Sequence, residues 1–307
     1  MPKLMKHPLQ RIALILAGAI LTAACTGGAG AASAASDPGF VVRGTYGHDS
    51  SYDAAKGSTS GFSVMQAKGF NTVQTGPYKE GLDALSAAGL KGIVWLGGFD
   101  NSQCAFRDDD ATIRSKLAPI AGHPAIEAYY IADEPHVSQC ANAPSLLKAR
   151  TDLIHSLDPG SKTFTVLQRS ESGFGQPYRS WAGTGAADIF GFDVYPCTRS
   201  PYHCDFSKID QDRATIESLG FSPYWAVLQD FQDCYYGLPS NDDLRTQFLH
   251  WQQSKMAGYL VFSWNFSSSV PGCAQYSVPL ETAPGNVDEL GCENRQPIGA
   301  DAAATGC

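Results

Sequence analysis

Short apolar runs rich in Val, Ile, Phe, Tyr and Trp alternate along this chain with stretches of helical periodicity, at a steady pitch. The runs fall at residues 40–46, 70–75, 92–97, 126–132, 163–167, 188–194, 224–228 and 259–264. Most are apolar throughout rather than at every second position, the mark of strands buried on both faces of a parallel sheet. Residues 80–88, 110–121, 144–157, 206–219 and 242–257 read as helices. In the third of these, Leu146, Leu147, Ala149, Leu153 and Ile154 recur at helical spacing. An acidic first turn from Asp108 to Asp110 suits the helix dipole, and Ser240 or Asn241 is placed to cap the last. Gly89, Gly122, Gly220 and Gly258 stand where helices must stop. Eight strands alternating with helices predict an α/β fold, the (β/α)8 TIM barrel, over residues 38–266. A doubly wound sheet is the alternative, but no G-x-G-x-x-G turn follows the first strand. After Phe266 the chain is rich in Ser, Pro and Gly and carries three cysteines, so residues 267–307 read as a disulfide-held C-terminal cap.

Residues 1–34 read as a signal peptide and linker outside the fold. Lys3, Lys6 and Arg11 precede an apolar stretch from Ile12 to Ala24, too short to anchor in a bilayer roughly 30 Å thick. Leu21-Thr22-Ala23-Ala24-Cys25 resembles a bacterial lipobox, with Thr22 as its departure, and Ala32-Ser33-Ala34 is an ordinary cleavage site. Either way the chain is expected to be exported, as a cell-surface lipoprotein or in secreted form, with membrane contact only through a lipid on Cys25. The chain has nine cysteines. Setting Cys25 aside leaves an even set, the arithmetic of disulfides in an exported protein. Six fall in loops after strands, and neighbouring loops suggest Cys104–Cys140, Cys197–Cys204 and Cys234–Cys273, with Cys292–Cys307 in the tail. No zinc-ribbon spacing, H-E-x-x-H or H-x-H occurs, so neither metal nor cofactor is expected. The net charge is −8, and no Lys/Arg cluster lies beyond the first eleven residues, which excludes a nucleic-acid-binding surface. The chain is read as a monomer.

Barrels of this kind work at the C-terminal ends of their strands. The eight ends offer, in order, Tyr46, His48 and Asp49; Gln74; Trp95 and Asp100; Asp133, Glu134 and His136; Gln168, Arg169 and Glu171; Asp193 and Tyr195; Gln229 and Asp230; Trp264 and Asn265. Carboxylates can serve as acid, base or nucleophile; amides bind hydroxyls, and rings stack on the apolar faces of sugars. No G-x-S-x-G elbow is present. This reads as a sugar site, with Tyr46, Gln74, Trp95, Tyr195, Gln229, Trp264 and Asn265 as candidate substrate-binding residues.

The segment Gly122-His123-Pro124-Ala125-Ile126, followed by Tyr129-Tyr130-Ile131-Ala132-Asp133-Glu134-Pro135, resembles the fourth strand of the large retaining clan of (β/α)8 glycoside hydrolases. Ser263-Trp264-Asn265 resembles that clan's last strand, and the resemblance covers roughly residues 40–266. It implies a carbohydrate substrate, Glu134 as the general acid, and Trp264 as the floor of the subsite next to the scissile bond. The clan's nucleophile is a Glu ending strand seven, where this chain has Leu228-Gln229-Asp230. A second carboxylate must come from elsewhere. Asp193, above Gly191 on the adjoining strand, is the first choice. Asp230 is next, facing the other way by strand alternation, then Asp133 and Glu171. The partner's distance from Glu134 would decide between retention and inversion. The alternative is a non-catalytic carbohydrate-binding barrel that has lost its nucleophile.

Overall fold

Eight parallel strands close on themselves in a computed structural model that describes residues 42–46, 60–169, 178–264 and 284–294. They are β1 Val42–Thr45, β2 Thr72–Thr75, β3 Lys91–Trp95, β4 Ile126–Asp133, β5 Thr163–Gln168, β6 Ile189–Asp193, β7 Tyr224–Gln229 and β8 Gly258–Phe262. Each pairs with its chain neighbours, and β1 pairs with β8 from Val42↔Gly258 to Thr45↔Val261. The TIM barrel is therefore closed. The leader, Cys25, His48, Asp49, Glu171, Asn265, Cys273 and Cys307 lie outside the described residues.

Two apolar layers hold the barrel. The outer one lies between strands and helices and contains Val73, Leu82, Ile113, Leu147, Phe192 and Phe248. The inner one fills the barrel with Val42, Ile93, Ala128, Phe164, Val166, Trp225 and Leu260. Alternation along each strand sends successive side chains to opposite layers. At its centre the Phe164 and Trp225 rings lie 4.8 Å apart. Each such buried ring is worth roughly 1.5–3 kcal/mol in transfer free energy. Gly191 makes room for them, because a Cβ there would lie 2.8 Å from Phe164 Cζ.

The helices are α1 Ser60–Ala67, α2 Lys79–Ala87, α3 Asp110–Leu117, α4 Ala143–Leu157, α5 Ser207–Ser218, α6 Asn241–Gln252 and α7 Pro284–Glu293. Helix α2 stops because Gly89 takes φ +69°, letting the Leu90 amide reach back to the Leu85 carbonyl at 2.9 Å. Ser240 caps α6 in a reciprocal pair with Asp243. Between β5 and β6 the described chain has only the 3-10 turn Tyr178–Ser180. Helix α7 lies within residues 267–307, read from the sequence as a disulfide-held cap. It packs onto the barrel through Leu290, the Arg245–Glu289 ion pair at 2.9 Å, and the Asn294 amide on the Lys68 carbonyl at 2.8 Å. No described helix is long and apolar enough to cross a membrane.

Cys104 is bonded to Cys140 and Cys197 to Cys204, as the loop order predicts. The first bridge joins the loops after β3 and β4; the second closes the hairpin of Cys197–Arg199 and Tyr202–Cys204. Cys234 and Cys292 are disulfide-bonded as well, and the expected partners Cys273 and Cys307 are outside the described residues. Replacing Gly191 by Ala should destabilise the protein by about 1–3 kcal/mol through overpacking. Urea unfolding measures this, and a loss below about 0.5 kcal/mol, the scale of an ordinary surface change, would show that Phe164 does not fill the space beneath Asp193.

Candidate active site

The mouth of the barrel is built around the end of β4. The pairing of β4 with β5 shifts register between Tyr130 and Ala132. Such a bulge re-aims the side chains beyond it. Tyr130 faces the interior, and three residues on, Asp133 comes back over it and accepts a hydrogen bond from the Tyr130 hydroxyl. Glu134 then adopts φ +44°, a left-handed conformation that costs a non-glycine residue about 1–2 kcal/mol. The backbone on either side of it is held. The Glu134 amide donates to the Val166 carbonyl at 3.1 Å. The Asn101 side chain donates to the Glu134 carbonyl at 3.0 Å and accepts from the His136 amide at 2.6 Å. Asn101 thus fixes both sides of the Glu134-Pro135 turn. Sequence reasoning selects its neighbour Asp100 instead. That carboxylate is occupied in its own loop, accepting from the Ser102 amide and hydroxyl and the Gln103 amide, contacts that lower its pKa.

Asp193 ends β6 on the inward face, two residues after Gly191, and is 3% exposed. Its Oδ1 is buried without a hydrogen-bond partner among the described residues. Desolvation raises its pKa well above the ordinary aspartate range; the nearby Glu134 adds to this, and Asp133 after it. Asp133 sits at the open mouth in contact with solvent, yet crowded by protein. It is pushed up to about 7, first by desolvation and then by Glu134, against the Tyr130 hydrogen bond. Three carboxyls in one hollow cannot all ionise cheaply, which is why Asp193 and Asp133 hold their protons to higher pH. Desolvation and the same carboxylates keep Tyr46, Tyr130 and Tyr195 as neutral hydroxyls. The Tyr46 and Tyr130 hydroxyls are 3.3 Å apart, so a chain of hydroxyls leads to Asp133.

Aromatic rings line an arc around these acids. Trp95 meets Tyr130 edge-on at 4.7 Å, Tyr130 meets Tyr46 at 6.0 Å, and Tyr46 meets Phe262 at 5.4 Å. Phe262 touches Phe231 at 5.2 Å, and Phe231 touches Tyr195 at 4.9 Å. A cavity of about 350 Å³ lies against Trp95, Asn101, Asp133, Glu134 and His136. Another, of about 710 Å³, lies against Gln168, Arg169, Asp193, Tyr195 and Tyr236. Glu134 lines the first and Asp193 the second, so the cavities flank the pair. Among the described residues, one group has metal-ligand spacing, Cys197, Cys204 and Asp243, and its two sulfurs are joined in a disulfide.

The structure thus brings Glu134, Asp193, Asp133, Tyr46, Trp95 and Tyr195 together. Gln74 is half-buried on the inward face, in register with Ile93. Two expectations need correction, and a third residue, Asp230, faces away as its strand parity implies. Gln229 is completely buried, and its side chain is spent on the fold: it accepts from the Cys197 amide at 3.0 Å and donates to the carbonyls of Cys197 and Gly237 at 3.1 and 2.8 Å. It ties the loops after β6 and β7 together and has no surface for a ligand. Trp264 is 2% exposed and packs outside the barrel against Phe70, at 6.3 Å, so it does not floor the hollow. Asp230 faces outward and accepts from Asn286 of α7 at 2.6 Å, away from the other acids. Strand alternation, which sends Asp230 to the face opposite Gln229, is the reason.

No protein-family model matches this sequence, and no curated protein is recognisably similar to it. Solved structures do share its architecture. The endo-β-1,4-mannanase of Thermotoga petrophila superposes with a TM-score of 0.56 at 10% identity, over 83% of this chain and 76% of its own. The endo-1,4-β-mannanase of Rhizomucor miehei gives 0.56 at 11%, over 84% and 96%. A β-galactosidase from Marinomonas ef1 gives 0.58 at 11%, over 83% and 59%. At these identities the likeness is one of fold.

Asp230 yields a pH prediction. Burial pushes its pKa up to about 8, opposed by the Asn286 hydrogen bond, whereas an unfolded chain releases that proton near pH 4. A raised carboxyl adds stability below its unfolded pKa and loses it as pH rises through the folded value. The loss between pH 4 and pH 8 should be on the order of 5 kcal/mol. Asp230→Asn should remove most of this slope in urea unfolding at pH 5 against pH 8.5. An unchanged slope would show that Asp230 titrates normally.

Proposed function

We propose that this chain is a glycoside hydrolase of oligo- or polysaccharides, with Glu134 as general acid and Asp193 as its catalytic partner. One observation carries the reading: carboxyls from the ends of β4 and β6, on either side of β5, converge in a ring-lined hollow at the barrel's C-terminal mouth. Burial and the nearby Glu134 raise the Asp193 pKa, and glycosidic cleavage needs Asp193 ionised and Glu134 protonated. Glu134 passes its proton to the glycosidic oxygen while Asp193 attacks the anomeric carbon. Glu134 then takes a proton from the water that releases the sugar from Asp193. In this reading Asp193 is the nucleophile, so the anomeric configuration is retained. The mannanases and the galactosidase among the structural neighbours, together with the Asp133-Glu134-Pro135 resemblance, support the substrate class. The disulfides fit an oxidising compartment and so support export through the leader, with or without a lipid on Cys25.

A second reading keeps the binding and drops the chemistry. It rests on Gln229, which occupies the strand-seven position with a buried structural amide. Turnover decides between the two. Against mannan, galactan, β-glucan and xylan, Glu134→Gln should lower kcat/KM by about 10²–10⁴-fold while glycan binding persists. Proton NMR of the first product should show the anomer of the substrate. Wild-type binding with no cleavage of any glycan would favour the binding barrel, and undiminished cleavage by Glu134→Gln would remove Glu134 from the chemistry.

The pH profile is a separate check. Asp193 must lose its proton to attack, so activity rises as pH passes its raised pKa. Asp133 contributes to that rise through its charge. In Asp133→Asn the acidic limb of kcat/KM should therefore move to lower pH; a limb that stays in place or moves up would contradict the coupling.

A further inference from the structure

The larger cavity is bounded on its solvent side by a feature that hydrolysis at the acid pair does not require. Tyr235 is 75% exposed, and it lines the same cavity as Asp193. Single exposed rings are ordinary on protein surfaces. This one stands on a turn braced from four sides. Asp233 Oδ1 accepts from the amides of Tyr235 and Tyr236 at 2.7 and 2.8 Å. The Arg199 amide donates to the Tyr235 carbonyl at 2.9 Å, and the Arg199 guanidinium to the Asp233 carbonyl at 2.8 Å. Thr198 bridges Tyr236, and Gln229 holds the Gly237 carbonyl from below. Cys234, next to Tyr235, is disulfide-bonded. The neighbouring Tyr236 ring is fixed against Tyr195 at 5.4 Å and Phe231 at 5.4 Å. An aromatic side chain whose backbone is already immobile loses little entropy when a ligand stacks on it.

We infer that this cavity is a saccharide-binding subsite beyond the acid pair, with Tyr235 and Tyr236 as its stacking platform, so that the ligand is a glycan of more than two units. The inference deepens the carbohydrate reading and rests on it. Its volume, about 710 Å³, exceeds what one pyranose ring needs and lies within the roughly 300–1,000 Å³ of small-ligand sites. The lining suits a sugar, since tyrosine rings offer faces for the apolar C–H surface while Gln168, Thr198 and Ser200 offer hydrogen-bonding groups for hydroxyls. The smaller cavity on the Glu134 side, beside Trp95, leaves room for the chain to continue past the pair. A glycan lying across both would pass its internal linkages, rather than only its end, over Glu134 and Asp193.

The experiment measures binding by length. Linear oligosaccharides of two to six units from β-1,4-mannan, β-1,4-glucan, β-1,4-xylan and β-1,4-galactan are titrated calorimetrically into full-length Glu134→Gln protein. In at least one series, affinity should rise from dimer to hexamer. Adding Tyr235→Ala should cut the hexamer-to-dimer affinity ratio by about tenfold, the scale of one truncated aromatic contact. Tyr235→Phe, which keeps the ring, should restore it. Affinity independent of length, a ratio untouched by Tyr235→Ala, or no binding in any series would each overturn the subsite. Turnover by the wild type is scored separately on the same sugars. Length-dependent binding without cleavage would sink the hydrolase and leave the platform, and cleavage indifferent to length and to Tyr235 would do the reverse.

Discussion

Three carboxyls crowded into one hollow are the constraint around which this barrel's mouth is arranged. Taken singly, each would ionise near pH 4 in water. Here burial and mutual repulsion raise both Asp193 and Asp133. An acidic cluster that served only folding would be a poor choice, because apolar side chains of similar size would pack there without the desolvation cost. Around this cluster the fold also holds Glu134 in a left-handed conformation, braced by Asn101, and sets Gly191 beneath Asp193. Local strain and crowded charge, held in place by the rest of the fold, are what a site looks like when it is built to move protons.

The surroundings explain how that cluster is kept in shape. Parallel strands fix where each side chain emerges, while the loops carry the rims. Those loops are cross-braced: Cys104–Cys140 joins the β3 and β4 loops, Cys197–Cys204 closes the β6 hairpin, and Gln229 binds that hairpin to the turn before Gly237. Rings from Trp95 through Tyr46 to Tyr195 make a wall that is apolar on its faces and carries hydroxyls at its edges. A sugar presents the complementary pattern, with apolar C–H faces and an equatorial belt of hydroxyls.

Much of this was legible in the chain itself. All eight strands are, because strands buried on both faces must be apolar throughout, and glycine marks several helix ends. Strand-end position puts Glu134 and Asp193 among the candidates, the resemblance to the clan's fourth strand singles out Glu134, and strand parity turns Asp230 outward. What escapes the sequence is whatever depends on contacts between distant loops. Gln229 ends a strand as a ligand-binding amide would, and only the folded Cys197 and Gly237 carbonyls reveal it as a tie. Trp264 lies beyond the last residue of β8, where alternation no longer predicts a side chain's direction, and it turns outward to Phe70. Asn101 carries no motif, since its two partners lie more than thirty residues away. Helix α7 lies in a stretch whose Ser, Pro and Gly content and cysteines mark a cap without marking a helix.

The central claim is that Glu134 acts on the Asp193 carboxyl across the mouth of the barrel. Carbon-13 NMR of the aspartate carboxyls in the free protein, followed from pH 3 to pH 9 with and without Glu134→Gln, tests it directly. The account predicts that Asp193 holds its proton well above the ordinary aspartate range and that Glu134→Gln moves its midpoint down. A midpoint near that of free aspartate, indifferent to the residue at position 134, would contradict it.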